Sequence, residues 1–269
     1  MKLRISSSIF LLALTTTAFA SAPMESASGK VYAGLFGGWG SSNNFNVSQY
    51  GTAYFIEADG GPLAVNAFGQ ANSQSAPFYG VQLGYQAPAI SINPCSPWTL
   101  GPAAELEGYS MSNRSFSADL VNNTDRLAAH NFTVTYPMSR TVFLANAVLN
   151  FNNPSIFVHP YVGFGIGGAL LRVSGADSTQ TTPAEAVNHY NANPNDNTST
   201  FAGQFKLGLS YDINKYVSVF ADYRYLYLAS TQFTFGSTIA PGHAATSSWQ
   251  VNMDAQTYNL GNVGVRFSV

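Results

Sequence analysis

Eight stretches of the chain alternate apolar and polar residues with a period of two, the spacing that sets successive side chains of a β-strand on opposite faces. Over Lys30 to Ser41, Val31, Ala33, Leu35 and Trp39 share one face, with Tyr32, Gly34, Phe36 and Gly38 opposite. Phe78 to Gln86 sets Tyr79, Val81, Leu83 and Tyr85 against Gly80, Gln82, Gly84 and Gln86. Trp98 to Tyr109 sets Trp98, Leu100, Ala104 and Leu106 against Gly101, Glu105 and Glu107. The same alternation runs through Arg140 to Phe151, Val158 to Leu170, Phe201 to Tyr211, Val217 to Tyr227 and the last stretch, which ends at Val269. The runs are about 10 residues long, near what a strand tilted by ~45° needs to cross a bilayer. Strands of a soluble sandwich are usually nearer 5 or 6 residues.

The connections carry a second signal. Three are short: Ala87 to Pro97, the turn Asn152-Asn153-Pro154, and Asp212 to Lys215. The other four, about 42–77, 112–139, 172–200 and 228–257, are polar and rich in Asn, Ser, Thr, Gly and Ala. Long and short alternate strictly, as in an up-and-down barrel with short periplasmic turns and long external loops, which places both termini in the periplasm. The pattern predicts an all-β fold, a closed antiparallel transmembrane β-barrel of eight strands over 30–269. Within the first long connection, Asp59-Gly60-Gly61 between two apolar runs is a hairpin signal. It either extends the wall above the membrane or enters the wall and gives ten strands.

Aromatic residues add a third. Tyr85, Trp98, Phe151, Tyr211 and Phe267 lie on the apolar face at strand ends beside the short turns, and Trp39, Tyr79, Phe143, Tyr225 and Tyr227 lie on the same face at the opposite ends. These are the two girdles expected where a barrel meets the membrane interfaces.

The N-terminus reads as an export signal over 1–20. Lys2 and Arg4 give a basic start, Ile9 to Leu14 an apolar centre, and Ala18-Phe19-Ala20 a small-residue cleavage site, with cleavage after Ala20 or Ala22. A short segment over 21–29 precedes the first strand. Removing Lys2 and Arg4 takes 11 basic residues to nine against 13 acidic, a net charge of −4 that excludes a nucleic-acid partner. Charged residues make up 9% of the chain, where about 25% is usual in a soluble domain, so the outer surface does not face water throughout. Cys95 is the single cysteine and cannot close a disulfide within the chain.

On the polar face, Glu105, Glu107, Arg140, Lys206, Asp222, Arg224 and Arg266 come from five of the eight strands. Paired carboxylates can do acid–base work on glycosides. An eight-stranded interior, however, is only just wide enough to be filled by side chains, and charges buried there must pair. A structural ion-pair plug is therefore expected, with no open pore. Gly163, Gly165 and Gly168 fit G-x-G-x-x-G, but a dinucleotide site needs a strand before and a helix after, and alternating glycines instead clear room inside a narrow barrel. His130, His159, His189 and His243 show no metal-ligand spacing, and no G-x-S-x-G element is present. No catalytic, cofactor-binding or metal residue is assigned.

The signal peptide, the glycine-and-aromatic strands, the turn from Tyr211 to Lys215 and the closing strand Gly264 to Val269 resemble the OmpA/Opa-like family of small outer-membrane β-barrels. The chain ends in Val269 with Phe267 two residues before it, where such proteins end in an aromatic. The resemblance implies an integral protein of the Gram-negative outer membrane with an adhesin-like, surface-interaction role carried by its external loops. Its implied partners are outer-membrane lipid, the barrel-assembly machinery during biogenesis, and a host or extracellular ligand at the loops. The alternatives are a small porin and a barrel-borne lipid or peptide hydrolase.

Overall fold

The computed structural model describes residues 29–93, 95–122 and 130–269, so the export signal lies outside the described residues. Along the chain the strands are β1 (Lys30–Ser42), β2 (Phe45–Ala53), β3 (Leu63–Ala71), β4 (Ser75–Gln86), β5 (Ile90–Ser91), β6 (Thr99–Asn122) and β7 (His130–Asn152). There follow β8 (Val158–Ser174), β9 (Asp177–Thr182), β10 (Ala184–Asn188), β11 (Asn195–Asp212), β12 (Val217–Leu228), β13 (Thr231–Phe235), β14 (Trp249–Met253) and β15 (Gln256–Ser268).

Eight of these close a ring of antiparallel neighbours. β1 pairs β4, β4 pairs β6, and the ring continues through β7, β8, β11 and β12 to β15. It shuts where β15 returns to β1 in the register Tyr32↔Ser268 to Ser42↔Tyr258. Closure leaves the ring without a free edge, the condition for crossing lipid with strands. No described helix is long and apolar enough to do so. The alternation sorts the faces: Val31, Leu35, Val81, Leu83, Leu106, Leu207 and Val263 are exposed on the outside, while Tyr32, Phe36, Gln82, Glu105 and Lys206 are buried within.

The hairpin β2–β3 does not enter the ring. β1 and β4 pair directly from Lys30↔Gln86 to Ser41↔Ser75, so no strand fits between them. β3 instead pairs the far end of β6, from Ala67↔Asn122 to Ala71↔Ala118, and β2 pairs β14. The hairpin's own bend is a 3-10 turn, Glu57–Asp59, followed by Gly60 and Gly61 at φ 94° and 70°, a left-handed conformation that favours glycine.

The four long connections differ from the polar loops expected of them: each contains β structure. β6 and β7 run on to 24 and 23 residues, and their far ends carry β3 and β9 as added strands. Phe116, Ala118 and Leu120 on β6 and Phe132, Val134, Tyr136 and Met138 on β7 alternate inward and are buried. With Phe45, Val47, Tyr190, Phe233, Phe235, Trp249 and Val251 they form an apolar core above the ring. The interior thus has two parts, a charged lumen lined also by aromatic and aliphatic side chains, and a largely apolar cap over one end of it.

Candidate functional site

The lumen is built from side chains two residues apart on single strands, since only those share a face. Glu105 and Glu107 of β6 point inward together, and Lys206 of β11 reaches both, at 3.0 Å from Nζ to Glu107 Oε1 and in close contact with Glu105. Asp222 and Arg224 of β12 form the second pair: Arg224 donates Nε–H to Asp222 Oδ1 at 2.7 Å and lies 3.1 Å from Glu107 through Nη1. Arg266 of β15 lies 3.9 Å from Glu105 Oε2 and stacks its guanidinium 4.5 Å over the Tyr32 ring. Three acids and three bases therefore balance, every one with a side chain at most 8% exposed.

Neutral groups add hydrogen bonds to the set, and among its side-chain atoms only Arg224 Nη1 and Asn262 Oδ1 are buried without one. Tyr32 donates to Glu105 at 3.0 Å, Gln204 Nε2 to Glu107 at 2.8 Å, and Tyr161 and Asn262 to Asp222, each at 2.6 Å. Buried charges are tolerated when paired and fully hydrogen-bonded, and removing one partner of such a pair typically costs about 3–5 kcal/mol. Glycine admits the network: a Cβ at Gly165 would come 1.9 Å from Asn146 Oδ1, and one at Gly163 would come 2.9 Å from the Lys206 side chain. The G-x-G-x-x-G string lies wholly within β8, with no helix after it.

Arg140 does not join the others. It is buried, with its guanidinium 4.5 Å over Phe116 and 5.4 Å over Tyr258, and it has no carboxylate partner among the described residues. It sits where lumen gives way to cap. Of the ten outward aromatics, Trp39, Tyr79, Tyr85, Phe143, Tyr211, Tyr225, Tyr227 and Phe267 are exposed, whereas Trp98 and Phe151 are half-buried.

The short turns bound a cavity of about 700 Å3 at one end of the barrel, lined by Lys30, Asn150, His159, Asp212, Ser218 and Arg266 among others. There His159 Nε2 lies 3.3 Å from Asp212. At the opposite end the cap holds a second cavity, of about 230 Å3, and three of the four histidines, His130, His189 and His243, line it together with Glu185. No sequence spacing announces this grouping, because His189 and His243 come from different long connections. Cys95 is exposed and unpaired.

In comparison with known proteins, the profile of the outer membrane protein beta-barrel domain family matches residues 10–267. Among solved structures, OprG of Pseudomonas aeruginosa aligns over 90% of this chain and 97% of its own, at 14% identity and a TM-score of 0.48. The outer-membrane protease OmpT of Escherichia coli aligns over 89% and 97%, at 7% identity and 0.41. Neisserial surface protein A aligns over 88% and 96%, at 13% identity and 0.36. At these identities the likeness concerns the fold alone. No curated protein matches by sequence.

Proposed function

Because the chain belongs to the outer membrane protein beta-barrel domain family, we propose that it is a plugged, non-conducting and non-enzymatic protein of the bacterial outer membrane whose external cap serves adhesin-like surface interaction. The observation that carries this reading is the lumen, where six charges of both signs are buried in mutual contact. An ion crossing the barrel would have to displace pairs that hold one another, at several kcal/mol per pair. In planar bilayers the purified, refolded protein should give no steady single-channel current. Sustained conductance would replace the plug with a porin.

With the lumen filled, interaction belongs to the cap. Tyr54, Ile56, Phe68, Val121 and Ile239 are large apolar side chains exposed on it or on its connections, and exposed apolar groups on an otherwise polar surface suit contact with another macromolecule. Replacing Tyr54, Ile56 and Ile239 together by Ser should weaken binding of cells displaying the protein to host cells or matrix, with the heat-modifiable gel mobility of a folded barrel retained. Undiminished binding would remove the cap's apolar tips from the role.

Orientation follows from the same reading. The ring's short turns and both ends of the described chain lie at one end, which family members turn to the periplasm. The outward aromatics then belong to the two membrane interfaces, the apolar band between them to lipid, and the closing strand with Phe267 to the assembly machinery that inserts such barrels.

A further inference from the structure

The cap brings Glu185, at the start of β10, His189, just after it, and His243, in the connection between β13 and β14, into one cluster whose ligand atoms all lie within 4.8 Å of one another. We propose that this cluster is a surface Zn2+ site of two imidazoles and one carboxylate, fastening the third external connection to the fourth.

Three features of the geometry favour a metal over an ordinary ion pair. The first is tautomer. His189 Nδ1 lies 2.8 Å from the Ser178 carbonyl oxygen and His243 Nδ1 lies 2.6 Å from that of Ala244, so each Nδ1 is held as a donor. Each ring's Nε2 is thereby left with its lone pair, the arrangement that backbone carbonyls impose on zinc-bound histidines.

The second feature is spacing. His243 Nε2 stands 3.6 Å from Glu185 Oε2, too long for a good hydrogen bond. It is close to the ~3.4 Å that separates two ligands on a tetrahedral zinc with bonds of about 2.0–2.1 Å. The third is preorganisation with access. Asn191 and Ile239 exchange two hydrogen bonds, of 2.7 and 2.8 Å, and Thr238 Oγ1 donates to the His189 carbonyl at 3.0 Å, so the two connections are already tied beside the cluster. His189 is buried against Phe132 and Trp249, while Glu185 keeps a third of its side chain exposed, leaving an entry path from solvent. Nitrogen donors select zinc over Mg2+ or Ca2+, which prefer oxygen cages.

The test uses the tag-free mature chain, refolded in detergent, stripped with a chelator and titrated calorimetrically with Zn2+. One saturable site per chain is expected, with affinity falling at least tenfold in both His243→Ala and Glu185→Gln. Both positions are partly exposed, and the boiled and unboiled gel mobilities check that each variant folds. Absence of saturable binding, binding unchanged in both variants, or Mg2+ taken as tightly as Zn2+ would each overturn the site.

Discussion

At the scale of single residues, the lumen is governed by what glycine leaves out. Gly165 faces inward opposite Asn146, whose amide donates to Glu105 at 3.4 Å and whose oxygen accepts from Gln204 at 3.3 Å. A Cβ placed there, at 1.9 Å from that oxygen, drives Asn146 off its partners. Gly165→Ala should therefore destabilise the folded barrel by about 1–3 kcal/mol, the usual cost of overpacking, read as the urea midpoint for loss of the heat-modifiable band in lipid vesicles. In an Asn146→Ala background the same change has no amide to displace and should cost much less. Equal costs in the two backgrounds would show that the contact is not what keeps glycine there. The charged partners themselves were legible in the sequence, since Glu105, Glu107, Lys206, Asp222, Arg224 and Arg266 all fall on the polar parity of their strands. Arg140 falls on the same parity, but parity says nothing of height along the barrel. It stands one tier up, among aromatic rings.

At the scale of elements, alternation read well where strands are glycine-rich and apolar, and poorly where polar residues are dense. Residues 116–121 and 132–138 alternate as cleanly as the wall, with Phe116, Ala118 and Leu120 beside Tyr136, Val134 and Phe132 on the inward face of the β6–β7 pair, yet most of their outward positions are polar, Ser117, Asp119, Thr133 and Thr135. Such a composition suits a strand wetted on its outer side just as well as a loop, because outside the membrane that face meets water. The backbone amides of Phe116 to Val121, Phe132 to Tyr136 and Met138 should accordingly exchange with deuterium slowly, on the timescale of the wall strands. Loop-like exchange over both stretches would return them to the flexible connections their composition suggests. The histidine cluster was not legible at this scale, because its members lie on segments that come together only when β9 and β10 fold against the connection that follows β13.

At the scale of the whole molecule, the two interiors answer to two solvents. The wall turns an apolar face to lipid, and its lumen is held by hydrogen bonds and ion pairs set among inward rings such as Phe36, Tyr109 and Phe220, with the ring held by its closed backbone ladder. The cap faces water and is held as a soluble domain is, by burying Phe45, Phe132, Tyr136, Phe233, Phe235 and Trp249. The ring is complete without β2, β3, β13 and β14, so the cap should open without the barrel. Trp249 is the lever: it is 1% exposed, packs on Phe132 and His189, and donates its Nε1–H to Thr238 Oγ1 at 3.3 Å. Trp249→Ala should cost the cap about 3–5 kcal/mol and expose segments 45–71 and 231–253 to limited proteolysis. The barrel fragments should stay together and keep their boiled and unboiled gel shift at the urea concentration where the unaltered protein keeps it. Were that shift lost together with cap protection, at one common denaturant concentration, cap and barrel would be a single cooperative unit. The cap core would then be what holds the eight-stranded ring shut at the end it covers.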